Sequence, residues 1–110
     1  MARKKEKFIR SVPVLGHEMP VEYNVSQANL KADPDEVVSA MYDDSKRKIL
    51  MSKAPFSAGA DSDLLHEVLH AVLDISGFRQ KMDSKEEEQL VVLLENALSI
   101  LIDFKANLYT

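Results

Sequence analysis

Between Asp61 and Gly77 apolar residues recur at helical spacing, and inside that stretch stands His66-Glu67-Val68-Leu69-His70. At about 100° per residue, Leu64, Leu65, Val68, Leu69, Val72, Leu73 and Ile75 fill one broad arc. His66 and His70 fall just beyond its edge, beside Asp63, Glu67 and Asp74. Such a segment is a helix against a core, with two imidazoles one turn apart on its border. Residues so spaced have their side-chain bases roughly 5–6 Å apart, close enough for both rings to reach one metal ion at about 2.0–2.1 Å. The glutamate between them is turned aside, where a base acting on water is wanted. Asp61 or Ser62 is expected to cap this helix and Gly77 to end it.

The rest of the chain reads as short strands followed by one long helix. Val12 to Leu15 and Met19 to Val25 suit a hairpin turning at Gly16-His17-Glu18, with Pro13 and Pro20 pushing both strands toward an edge. Asn24 to Pro34 is polar loop. Val37 to Tyr42 is the next apolar run, Asp43-Asp44-Ser45-Lys46 a turn, and Arg47 to Met51 a returning strand. A second helix runs from about Ser84 to at least Phe104. Its apolar arc of roughly 200° exceeds what one surface contact needs. It is therefore expected to touch both the first helix and the sheet, or a second copy of the chain. The expected fold is α+β: a small antiparallel sheet of three to four strands on the motif-bearing helix and the long C-terminal helix.

One domain accounts for residues 11–110, after a basic arm over 1–10. With no cysteine, there is neither a disulfide nor a thiolate ligand, so His, Asp and Glu must hold any metal. That absence fits a reducing cytoplasm. A formal charge of −4 argues against nucleic-acid binding, and Arg3, Lys4, Lys5, Lys7 and Arg10 read as a solvated terminus. No apolar run suits a membrane span or signal peptide.

A catalytic zinc takes three protein ligands and keeps a fourth position for water. The third is open among Asp74, His17, Glu86, Glu87, Glu88 and Glu95. Glu88 and Glu95 fall on the polar side of the second helix. Glu87 lies near the middle of the apolar arc, in line with Leu94 and Leu98, where a carboxylate needs a strong partner. Glu87 is the first choice and Glu86 the next. Ser84 with Glu87 fits a capping box, but Asp83 with Glu86 fits equally well and would free Glu87.

The Met41–Asp44 turn leading into Lys48–Met51, the helix Leu64–Leu73 and the segment Glu86–Leu98 together resemble the small phage and prophage zincins, the mini-gluzincin group of ImmA/IrrE-like and SprT-like metallopeptidases. The likeness covers about two-thirds of the chain. Metzincins are excluded, because Leu73 and Ser76 stand where a glycine and a third histidine are required. The resemblance implies His66, His70 and Glu87 as zinc ligands, Glu67 as general base, a peptide or protein substrate, and the cytoplasm of a phage-infected or prophage-bearing bacterium. An extended peptide would add itself to a sheet edge near Ile49 to Lys53, and Tyr42, Tyr23 or Tyr109 would steady the oxyanion. The competing expectation is a non-catalytic interaction protein on the same fold, associating through the C-terminal helix.

Overall fold

The computed structural model describes the backbone of residues 8–30 and 36–108, with side chains as far as 100. Residues 1–7 of the expected arm, and Tyr109, lie outside the described residues. Phe8 packs edge-on against Tyr23, and the Tyr23 hydroxyl donates to the Ile9 carbonyl at 2.7 Å, so the end of that arm is tied down.

The elements in order are β1 (Ser11–Val14), β2 (His17–Glu22), β3 (Ala40–Asp43), β4 (Lys48–Met51), α1 (Ala60–Ile75), a short 3-10 turn (Phe78–Lys81) and α2 (Ser84–Leu108). Leu15 and Gly16, both at positive φ, form the two-residue turn whose twist suits a hairpin. The four strands lie in the order β1-β2-β4-β3. Both hairpins are antiparallel, but β2 and β4 are parallel, which makes the sheet mixed rather than wholly antiparallel. The cause is the long connection after β2, which delivers β3 to the far edge before β4 folds back into the middle. Pro13 sits on edge strand β1 as expected, whereas Pro20 lies in the interior strand β2. It is tolerated because pairing with β4 begins only at Val21.

One apolar cluster joins the sheet to α1 through Met19, Val21, Ile49, Met51, Leu64 and Ala71. A second joins α1 to α2 through Leu69, Leu73 and Val91, flanked by Leu65, Leu90, Leu94 and Leu98. Thus α1 is sandwiched, with the sheet on one side and α2 on the other. Among the described side chains of α2, Val92, Leu93 and Ile100 are left exposed.

Neither Asp61 nor Ser62 caps α1. Gly59, at φ 80°, turns the chain into it, and the two residues stand in its first turn. Gly77, at φ 85°, ends it as expected, its N–H donating to the Asp74 carbonyl. Asp83 and Glu86 make the capping box of α2: the Glu86 N–H donates to Asp83 Oδ1 at 2.8 Å and the Asp83 N–H to Glu86 Oε1 at 3.4 Å. Glu87 is left to face inward.

Candidate metal centre

The centre lies between α1 and α2, beneath edge strand β3. His66 and His70 stand one turn apart with ring centroids 5.0 Å apart. Both turn Nε2 toward one carboxylate: His66 Nε2 is 2.9 Å from Glu88 Oε1 and His70 Nε2 is 3.0 Å from Glu88 Oε2. One donor atom from each of these three residues lies within 4.8 Å of the others.

The opposite ring nitrogens meet other acids. His66 Nδ1 is 2.8 Å from Glu95 Oε2, while Glu95 Oε1 accepts from the Ser62 hydroxyl at 2.9 Å. His70 Nδ1 contacts Glu87 Oε2. A carboxylate at Nδ1 favours the tautomer with its proton there, leaving the Nε2 lone pair bare. Two bare lone pairs and an anionic carboxylate then face one another. Only a shared cation or extra protons can reconcile such a set. The donors, two imidazoles and a carboxylate with no thiolate, suit zinc.

Glu87 is not part of that convergence, and the sequence reading differs from the structure here. Its side chain, 9 % exposed, takes Arg79 Nε at 2.8 Å and Nη2 at 3.0 Å. Burial pushes its pKa up, but the Arg79 hydrogen bonds and then that of His70 outweigh this and hold it below the usual carboxylate range. The inward-facing acid has the strong partner it needs, and that partner is a guanidinium. Glu86 is spent on the helix cap. Asp74 accepts the Tyr42 hydroxyl at 2.6 Å, and His17 is an exposed residue at the start of β2. Glu88, from the side of α2 read as polar, is the carboxylate that both Nε2 atoms face.

Glu67 is turned toward the sheet. Its Oε1 accepts the Tyr42 N–H at 2.9 Å, and burial raises its pKa even though His70, His66 and that N–H pull the other way. His66 is likewise raised: burial depresses it, but the Glu95 hydrogen bond and the nearby Glu88 charge more than compensate.

A comparison of the chain with known families, curated proteins and solved structures finds no match.

A cleft of about 480 Å³ opens on the His70 side, walled by Ala40, Tyr42, Met82, Arg79 and Glu88. A smaller hollow of about 220 Å³ opens on the His66 side, among Ser39, Ala40, Asp63 and Glu95. Both are lined by β3 or the residue before it, and Ala40 borders each. The Ser52 N–H donates to the Ser39 carbonyl, so residues 39, 41 and 43 bond inward to β4, and Ala40 and Tyr42 point their backbone groups to the open edge. The strand near Ile49 to Lys53, expected to receive a peptide, is β4 and lies inside the sheet; the edge beside the centre is β3. A larger hollow of about 670 Å³, among Asn24, Ser26, Lys46 and Lys48, lies over the other face of the sheet, away from these donors.

Of the tyrosines expected to steady an oxyanion, the two among the described residues are otherwise engaged. The Tyr42 hydroxyl is committed to Asp74, with its pKa raised by burial and then by that acid, and the Tyr23 hydroxyl to Ile9. Among the described residues no helix is long and apolar enough to cross a membrane.

Glu88 and Glu95 had a legible signal. Glu88, Val91, Glu95 and Leu98 form one stripe at i, i+3, i+7 and i+10. Val91 is fully buried against α1 and Leu98 packs beside it, so the acids in register with them must face α1 too. Arg79 carried no such signal, because it acts from an irregular connection.

Proposed function

We propose that this chain is a zinc-dependent peptidase of the H-E-x-x-H type, with His66, His70 and Glu88 holding the ion. The observation that carries the reading is the convergence of both Nε2 atoms on one carboxylate while both Nδ1 atoms are held by others. Zinc bound there would supply Lewis acidity to a water and to the scissile carbonyl. Glu67 is the general base. The Tyr42 N–H fixes one of its oxygens, the other is left to take a proton, and burial raises its basicity. It then hands that proton to the leaving amine.

The substrate is an extended peptide added to β3. Ala40 offers a backbone N–H and C=O, and Tyr42 offers its carbonyl because its N–H is held by Glu67. The two hollows flanking the centre receive the side chains on either side of the cleaved bond. The setting is the bacterial cytoplasm that the resemblance to phage zincins implies.

The test is Glu67→Gln, read as turnover of a peptide library alongside bound zinc. A peptidase keeps its zinc and loses about 10²–10⁴ of its rate. A variant that hydrolyses peptides as fast as the unaltered chain refutes the assignment, and a protein acting only by binding partners keeps all of its function.

A further inference from the structure

Glu87 and Glu88 are neighbours on α2, yet one contacts Nδ1 of His70 and the other its Nε2. What separates their duties is Arg79, in the turn between the helices. It grips both oxygens of Glu87, at 2.8 and 3.0 Å, in a forked geometry. Its Nη1 reaches Asp44 Oδ2, in the β3–β4 turn, at 3.2 Å and Asp74 Oδ1 at 3.9 Å. Its guanidinium lies 5.5 Å from the centre of the Tyr42 ring. One side chain thus ties the edge strand, α1 and α2 together behind His70.

We infer that Arg79 is a positioning residue that sets which of the two adjacent glutamates meets the ion. By clamping Glu87 against Nδ1 it fixes the His70 ring with Nε2 forward, and it keeps Glu87 from competing with Glu88 for the ligand place. The inference rests on the metal reading above and extends it to a residue that acts on the ion only through Glu87 and His70. Groups that hold a ligand's far nitrogen typically change metal affinity by about 10–100-fold when removed. A fork suits this duty and a point charge does not, since only the fork holds both oxygens of Glu87 at once.

The experiment measures zinc affinity by chelator competition and the visible spectrum of the cobalt-loaded protein, with circular dichroism to report folding. Arg79→Met is expected to weaken zinc binding by about 10–100-fold and to shift the cobalt bands. Arg79→Lys should recover part of the loss, and Asp44→Asn, on the exposed side of the network, should leave affinity and spectrum unchanged. Unaltered affinity and cobalt spectrum in a folded Arg79→Met protein would overturn the inference, whatever happens to its melting temperature. Should that protein not fold, Arg79→Lys decides, and wild-type affinity and spectrum there overturn it equally. Glu88→Ala separates the two levels: zinc lost there but kept in the Arg79 variants sinks only the positioning role. Zinc held equally with and without Glu88, or taken up by neither protein, sinks the metal reading and the inference with it.

Discussion

Replacing Glu88 with alanine should leave the metal-free protein nearly as stable as before, while removing most of what zinc adds. The Glu88 side chain is 53 % exposed, so its contacts with the imidazoles are solvent-screened. Screened in this way, its loss is worth no more than about 1 kcal/mol. Zinc is different. At a free concentration about a thousand times the dissociation constant it stabilises the folded chain by about 4.1 kcal/mol. Losing one of three ligands, taken as a loss of roughly 100-fold in affinity, removes about 2.7 kcal/mol of that. At about 4 °C per kcal/mol for a domain of this size, the zinc-induced rise in melting temperature falls from about 16 °C to about 6 °C. Thermal melts in chelator and in buffered zinc measure both quantities on one sample. Glu87→Ala is the contrast: it strands the Arg79 charge and lowers the melting temperature in chelator as well. A zinc shift that survives Glu88→Ala intact and vanishes only with Glu87→Ala would refute the assignment of the ligand.

Ala40→Pro removes an N–H that faces the open edge rather than β4, so the fold should stand while peptide turnover falls through a raised KM; a kinetic comparison checks this, and unchanged KM would remove β3 as the docking edge. Tyr42→Phe should cost about 1.5–3 kcal/mol in denaturant melts, since the hydroxyl donates to the carboxylate of Asp74. Because the folded-state pKa of Glu87 is depressed, its contribution to stability is present above its unfolded value and is lost as pH falls through the folded one. The metal-free protein should therefore lose stability in acid below about pH 4.3, where an unperturbed glutamate titrates, and Glu87→Gln should flatten that limb of the pH–stability curve.

The helix bearing the two histidines was legible because three independent signals agreed on it: an apolar arc at 3.6-residue spacing, a glycine stop, and polar residues confined to one border. Strands β3 and β4 were legible for the same reason, with a four-residue polar turn between apolar runs. The parallel pairing of β2 with β4 was not, because local patterning sets which face of a strand is buried and says nothing of which strand lies beside it. That Glu87, with Glu86 next, was preferred to Glu88 has a related reason. Burial was inferred correctly for Glu87, but a buried carboxylate needs a counter-charge of any kind, and Arg79 sits in a turn whose path helical periodicity does not describe. The position of Glu88 depended on which part of a broad apolar arc meets α1. Val91, fully buried, fixes that rotation in three dimensions.

The central claim, one ion shared by two imidazoles and Glu88, is tested most directly by anomalous diffraction at the zinc edge from crystals of the zinc-loaded protein. A single peak about 2.0–2.1 Å from Nε2 of His66 and of His70, with a Glu88 oxygen at about 2.0–2.2 Å, is the result expected. No peak between the two rings at saturating zinc, or a peak coordinated by Glu87 with Glu88 turned to solvent, would contradict it.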